Sequence, residues 1–334
     1  NLCGSLNHPI LTWQRIGAKP KFVWKLLNNV KKDDFVVIDR SDSLFPIKEP
    51  LLKQFYPELQ NRMQEHTLPC ALNEDLSFIL GALISEGSIG REQIGFCNGD
   101  KEFLDEFKAC FRRVFPDCRL HEFVRGPLSY GKKNCTYLEI HSLQVIRFLN
   151  NLGLCQTRAP GKTVPHIILS ASKKSAAAFI KSYAEGDGSI CIGKRNPDVS
   201  FISTSEKLIQ GLQILLLRFG IDSSYRFHKQ KNYFRLFIRS HTNLNLFKNQ
   251  INFTTRKSRK RLEDICSRNN DGWVMSKMDF IPYISEYIRS KSSRCRKKYR
   301  GHIEWLKKHN IDRYPKIEKH WPRLKECLDK EDAE

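Results

Sequence analysis

Two carboxylates carry the chemistry this sequence offers. Glu86 closes the segment Ile79-Leu80-Gly81-Ala82-Leu83-Ile84-Ser85-Glu86-Gly87, and Asp187 closes Ile180-Lys181-Ser182-Tyr183-Ala184-Glu185-Gly186-Asp187-Gly188. Gly81 and Ser85 stand four residues apart, as do Ser182 and Gly186. In a helix each pair therefore lies on one face. Small residues on facing surfaces let two helices approach closely, which would set Glu86 and Asp187 side by side at one end of the pair. The glycine after each acid is expected to leave its helix with positive φ. Adjacent carboxylates on a basic chain offer oxygen ligands to a hard divalent cation, Mg²⁺ or Mn²⁺. Such an ion beside a phosphodiester activates water and stabilises the leaving oxygen. One apolar helix ending in acid-glycine is a weak signal, because core helices often read that way. Two copies followed by the same elements make a specific one.

What must position the acids is a duplicated unit. After Gly87 comes a short strand near Ile94–Phe96, then a helix over 101–114 with Phe103, Phe107, Cys110 and Val114 at helical spacing. Strands near 121–125 and 136–141 follow, then a helix over 142–152 that stops at Gly153. The second copy repeats the order: helix 175–185, strand 199–203, helix 206–219, strands 224–229 and 233–239, helix 242–249. The acids lie 187 − 86 = 101 residues apart, a period too long for a solenoid repeat and suited to a duplicated domain. The fold class is therefore α+β.

The strand Tyr233-Phe234-Arg235-Leu236-Phe237-Ile238-Arg239 alternates. Phe234, Leu236 and Ile238 are expected to face the helices, and Tyr233, Arg235, Phe237 and Arg239 to face out. A half-buried amphipathic strand explains this pattern almost as well as a surface laid on nucleic acid. The charge tips the balance: the 334 residues hold 57 basic and 36 acidic side chains, a formal net charge of +21, which suits a polyanionic partner. From residue 251 onward 22 residues are basic and 13 acidic, in clusters such as Arg259-Lys260-Arg261 interleaved with aromatics. Arg125 and Lys229 end their strands, and with Tyr233, Arg235, Arg239 and Lys260 they are the expected DNA contacts.

The eleven cysteines are odd in number and form no C-x-x-C pair, which argues against a disulfide framework or zinc ribbon and for a reducing compartment. No apolar run of about 18 or more residues is present, and the start reads as no signal peptide. No membrane partner is expected, and the chain should lie in the cytoplasm, nucleoid or nucleus, wherever its DNA is. Residue 1 is Asn, as expected of a fragment or processed product.

The two acid-glycine segments resemble the LAGLIDADG motif of homing endonucleases, and their duplication resembles the single-chain, two-motif members, over about residues 74–260. The resemblance implies two pseudo-symmetric αββαββα-like repeats whose sheets form a β-saddle in the DNA major groove. It implies a monomer in which each motif acid coordinates divalent metal and the paired sites hydrolyse both strands. It also implies a basic residue at each site. Lys162-Thr163-Val164-Pro165 matches the Lys-x-[Val/Ile]-Pro segment that precedes the second motif in intein-borne members. By internal repeat Lys257 is its expected counterpart. Two departures stand out: Glu86 occupies a position where Asp is usual, and Lys181 interrupts the second apolar stretch.

Gly4-Ser5-Leu6-Asn7-His8-Pro9-Ile10-Leu11-Thr12 resembles intein block B, with His8 in place to assist the first acyl shift and Ser5 where Thr is usual. Residues 24–39 resemble continuing strands of an all-β Hint splicing domain. Cys3 is too close to His8 to be the first nucleophile, and the end Asp329–Glu334 lacks the terminal His-Asn. The chain is thus expected to belong to a longer precursor, with host exteins as partners, and not to splice alone. The expected organisation is a partial Hint segment at 1–45, a linker at 46–73, repeats at 74–156 and 157–256, and a basic helical extension at 257–334. Two other functions compete with a metal-dependent DNA endonuclease: a non-cutting, maturase-like DNA or RNA binder, and a splicing element whose nuclease has decayed.

Overall fold

The computed structural model describes residues 4–17, 19–40, 44–60, 63–126, 135–154, 159–193, 197–268, 280–291, 312–326 and 328. They divide between two units: Asn1–Asp39 with Met275–Glu334, and Arg40–Val274.

In the first unit, β1 (Pro9–Ile16), β2 (Lys19–Leu26) and β3 (Phe35–Val36) form an antiparallel sheet of order β2-β1-β3. The C-terminal part returns to it. The Trp13 indole donates to Pro282 O at 2.7 Å, Phe35 meets Tyr283 edge-on with ring centroids 5.5 Å apart, and Arg15 pairs with Glu286 at 2.6 Å. The basic extension expected at 257–334 therefore divides. The described residues up to 268 belong with the repeats, and those from 280 onward belong with the N-terminal segment. Such long-range pairing leaves no periodic trace in a sequence.

The second unit holds both repeats. Repeat one runs α1 (Glu74–Glu86), β4 (Gly87–Ile89), β5 (Ile94–Asn98), α2 (Lys101–Val114), β6 (Leu120–Arg125), β7 (Cys135–Ile140) and α3 (Leu143–Asn151). After the single turn α4 (His166–Leu169), repeat two runs α5 (Lys173–Asp187), β8 (Gly188–Cys191), β9 (Asp198–Ser203), α6 (Glu206–Arg218), β10 (Ser223–His228), β11 (Tyr233–Ile238) and α7 (His241–Gln250), closed by α8 (Arg256–Cys266). Both follow the order αββαββα. Their antiparallel sheets share one strand order, β4-β5-β7-β6 and β8-β9-β11-β10. The strands directly after each motif helix are too short, at three and four residues, to declare a period of two.

Local chemistry starts the helices. Asn73, Asp100, Ser142, Ser172, Ser205, Ser240 and Thr255 each accept a hydrogen bond from an otherwise unpaired first-turn N–H. The apolar face of α2 buries Phe103 and Phe107 against β5, where Phe107 stacks on Phe96 with ring centroids 4.3 Å apart. Each such buried aromatic contributes roughly 1.5–3 kcal/mol. The stretch 46–73, expected to be a linker, is anchored to the repeats at several of its described residues. Leu52 and Leu72 are buried, His66 N–H donates to Gln144 Oε1 at 2.6 Å, and Tyr56 OH donates to Leu68 O at 3.1 Å. Its prolines break periodicity without making it loose.

Candidate nuclease site

The site lies where α1 and α5 end. Residues 76–84 of α1 are all buried, and Phe179, Ile180, Ser182, Tyr183 and Ala184 are buried in α5. Pairing depends on reciprocal small residues. A Cβ on Gly81 would stand 2.2 Å from Ser182 Oγ and 2.3 Å from Phe179 O. A Cβ on Gly186 would stand 2.3 Å from Ser85 Oγ and 2.9 Å from Glu86 Cγ. The helices thus touch through the small positions, and the Glu86 side chain lies against the turn that carries Asp187.

The glycines after the acids are required for a different reason than sequence suggests. Gly87 and Gly188 have φ of −84° and −90°, ordinary extended values, so no positive φ is involved. A Cβ there would meet Leu83 O at 2.3 Å and Ala184 O at 2.1 Å. The chain leaves each helix straight into β4 or β8, so close to the last carbonyls that only hydrogen fits.

Proximity and burial mark the two acids electrostatically. Burial raises the Asp187 carboxyl to about 7, Glu86 adds to the rise, and Lys162 and the Tyr183 hydroxyl oppose it. Burial also raises Glu86, again against the pull of Lys162. Tyr183, one turn before Asp187, is fully buried; its hydroxyl makes no hydrogen bond of good geometry and has the Asp187 carboxylate as polar neighbour. Lys162 Nζ donates to Ile84 O at 2.6 Å, and Ser205 Oγ donates to the Lys162 carbonyl at 2.5 Å. The structure therefore brings Glu86, Asp187 and Lys162 together.

Lys257 is not brought there. It stands exposed in the first turn of α8, as Lys260 does further along, and it is not among the groups that shift either acid. What fixes α8 is Glu185, whose carboxylate accepts from Thr254 N (2.8 Å), Thr255 N (3.0 Å), Thr255 Oγ1 (2.8 Å) and Ser258 Oγ (2.8 Å).

On the second sheet, Leu236 and Ile238 are buried in the core and Phe234 packs against it, as the alternation predicts. The opposite face holds an organised cluster. Arg235 and Arg239 lie over the Phe237 ring at 4.9 and 4.0 Å, so this ring is covered where an exposed aromatic was expected. Arg235 donates to Ser200 Oγ at 3.1 and 2.9 Å. Asp198 pairs with Arg235 at 3.6 Å and Arg239 at 3.9 Å. Its carboxyl is raised by burial against the pull of both guanidiniums. Sequence reasoning missed Asp198; its alternation with Ser200 and Ile202 on β9 was the available signal. Tyr233 stacks on His228 (4.7 Å), and Lys229 is exposed in the turn that follows. On the first sheet Phe123 stacks on Tyr137 (5.7 Å) and His121 meets His141 edge-on (4.9 Å). Arg125 ends β6 in register with Cys135. In the other unit His8 is exposed and turned back by its N–H to Ser5 O at 3.0 Å, while Cys3 lies outside the described residues.

Residues 174–252 match the family described as LAGLIDADG-like domain. The chain is 26% identical over 311 residues to the DNA gyrase A protein of Mycobacterium gordonae, covering 93% of the chain and 51% of that protein. It is 29% identical to the DNA-directed RNA polymerase subunit Rpo1C of Methanocaldococcus jannaschii, over 65% of the chain and 24% of that protein. It is 26% identical to the replication factor C small subunit of the same organism, over 66% of the chain and 12% of that protein. The chain thus spans about half the length, or less, of these curated relatives. Among solved structures it is similar to the homing endonuclease I-WcaI bound to its DNA recognition sequence (14% identity, TM-score 0.43, 57% of this chain and 87% of that one). It is also similar to mesophilic variants of the homing endonuclease I-DmoI (11% identity, TM-score 0.40, 53% and 90%).

Proposed function

We propose that this chain is a site-specific DNA endonuclease that cuts both strands of a duplex, carried as an intein-type insert in a host protein. The observation that carries the reading is the convergence of Glu86, Asp187 and Lys162 at the end of two helices that touch through their small residues. Two carboxylates so close and so desolvated resist joint ionisation, and a divalent cation would reverse that resistance. Mg²⁺ or Mn²⁺ held by Glu86 and Asp187 would supply activation of water and neutralisation of phosphate charge. Among the described residues no group of three or more His, Cys, Asp or Glu is arranged to hold a metal ion. A pair of carboxylates leaves the ion's other positions to water and substrate oxygens. Lys162 adds a positive charge beside the acids where a phosphate oxygen gains charge, an interaction stronger in the transition state than before it.

Arg235 and Arg239, steadied by Asp198 and Phe237, are suited to base edges and phosphates. The match over 174–252 supports the nuclease reading. The insert reading is supported by the relatives: a gyrase, an RNA polymerase and a replication factor are named for different tasks, yet one stretch is common to all three. The N-terminal sheet, tied by the Trp13 indole to Pro282 of the C-terminal part in one unit, fits a splicing domain interrupted by a nuclease.

The test is linearisation of a plasmid library by the purified protein with Mg²⁺, with the broken ends sequenced and Asp187→Ala as control. A unique break that the control loses is expected. Salt-sensitive binding without any break would point to the non-cutting binder instead.

A further inference from the structure

The outward face of the first sheet carries two cysteines side by side. Phe96 and Leu138 pair across β5 and β7, and both are buried in the core. Cys97 follows Phe96 directly, and Cys135 lies three residues before Leu138. Both therefore point to the opposite face, the one that holds the stacked Phe123 and Tyr137. Cys97 pairs with Tyr137 across the ladder, and Cys135 sits two residues before Tyr137, so the thiols are diagonal neighbours. The Cys135 thiol and the Tyr137 hydroxyl lie within side-chain hydrogen-bonding reach of the Cys97 thiol, and the Glu86 carboxylate is near enough to act on it electrostatically. Burial pushes the Cys97 thiol up, Tyr137 opposes the rise, and Cys135 and Glu86 add to it. Both cysteines are free and half-buried. The buried thiols Cys110, Cys118 and Cys266 are acted on by no other cysteine. The fold does not ask for thiols at these two places. In the second sheet Phe201 pairs with Leu236 as Phe96 does with Leu138, and in that register Ile202 stands where Cys97 does and Tyr233 where Cys135 does.

Resting on the nuclease reading, we propose that Cys97 and Cys135 form a redox site: a small disulfide such as oxidised glutathione links them reversibly, and the link slows cleavage. One protein thiol attacks a sulfur of the oxidant, a mixed disulfide forms and one glutathione leaves. The second protein thiol attacks the protein sulfur of that mixed disulfide and releases the other glutathione. Two electrons pass from the protein thiols to the oxidant, and their two protons end on the two released glutathione thiols. Diagonal neighbours in a sheet lie about 7–8 Å apart, whereas a disulfide usually spans about 4.4–6.8 Å between Cα atoms. Closing the bond therefore draws the start of β7 towards β5 by on the order of 1 Å, and Tyr137 moves with it. β5 is hydrogen-bonded to β4, the strand that leaves Glu86 directly, so one strand carries the shift to the acid pair. A misplacement of that size costs up to roughly 10² in rate. In a reducing compartment the pair stays open and the nuclease works; a more oxidising thiol pool closes it.

The test equilibrates the full chain in glutathione buffers of graded oxidation, overnight because a thiol held high exchanges slowly. Remaining thiols are then alkylated, and peptide mapping by mass spectrometry reports any link between Cys97 and Cys135. Single-turnover cleavage of the target recovered from the plasmid library is followed in Mg²⁺, and affinity is measured in Ca²⁺. The oxidised wild type should yield the linked peptide and cut at least about tenfold more slowly than the reduced protein, and dithiothreitol should restore the rate. Cys97→Ser and Cys135→Ser should each cut at a rate that no longer depends on the buffer. Absence of the linked peptide in the most oxidising buffer would overturn the pairing. A linked protein that cuts as fast as the reduced one would overturn the switch, as would a slowing that persists in both serine variants, which belongs to another cysteine. Reduced protein that binds in Ca²⁺ and cuts neither strand would overturn the nuclease reading instead, and the peptide map would still decide whether the two thiols pair.

Discussion

Replacing Asp187 by Asn in the metal-free protein removes a charge that the fold resists. The Asp187 carboxyl moves from 3.8 to about 7, chiefly through burial and then through Glu86. The folded state thus keeps a proton that the unfolded chain gives up at lower pH. A carboxyl with a raised folded pKa penalises folding increasingly as pH rises from the unfolded value, and the penalty is complete above the folded one. At about 1.4 kcal/mol per pKa unit, the shift corresponds to roughly 4 kcal/mol at alkaline pH. Residual solvent contact at the helix end lowers the expectation to about 2–3 kcal/mol. Most of it should develop between pH near 5 and pH near 8. Urea unfolding of wild type and Asp187→Asn, with chelator present, at those two pH values measures it. The variant should be the more stable protein at the higher pH, with a much smaller gap at the lower. Adding Mg²⁺ should narrow the gap, because the ion offsets the repulsion only in the wild type. A variant no more stable than wild type near pH 8, or a gap independent of pH, would refute the burial and pairing of the two acids.

Further outcomes follow from the packing and the capping. Gly186→Ala should destabilise by about 2–3 kcal/mol, the cost of overpacking a tight contact; Ser85→Gly removes the Ser85 Oγ and Cβ atoms that the new methyl meets, so denaturant midpoints of the double variant should recover most of the loss. Glu185→Ala should cost about 2–4 kcal/mol, since it leaves several donors around the start of α8 unpaired, and hydrogen exchange of the Thr254 and Thr255 amides should accelerate. Asp198→Ala should leave Arg235 and Arg239 less ordered, weakening DNA binding in Ca²⁺ by roughly tenfold without abolishing its salt dependence; unchanged affinity would show the cluster to be structural only.

Much of the site could be read from spacing alone. The four-residue interval of Gly81 and Ser85, repeated at Ser182 and Gly186, is a short-range rule of helix geometry, and it led directly to the adjacency of Glu86 and Asp187. Duplication made three strands of each sheet legible, since each had a counterpart to confirm its place, while the short β4 and β8 went unread. The remainder depends on distances that a sequence does not carry. Gly87 and Gly188 are needed for a carbonyl that comes within contact range, not for an unusual dihedral. Lys257 lies in a helix because Glu185 gathers the N–H groups at the start of α8, so internal repetition pointed to a residue type that the second loop lacks. Asp198 was passed over because a single acid on a strand reads as solvent-facing until its arginine partners are seen. The pairing of Trp13 with Pro282 spans 269 residues, beyond any local pattern.

The most direct test of the central claim uses the target recovered from the plasmid library, with wild type, Glu86→Gln and Asp187→Asn compared side by side. Affinity would be measured in Ca²⁺ and cleavage in Mg²⁺. Each variant should bind within a few-fold of wild type and cut at least about a hundredfold more slowly. Variants that bind and cut like the wild type would contradict the assignment of Glu86 and Asp187 to the chemistry.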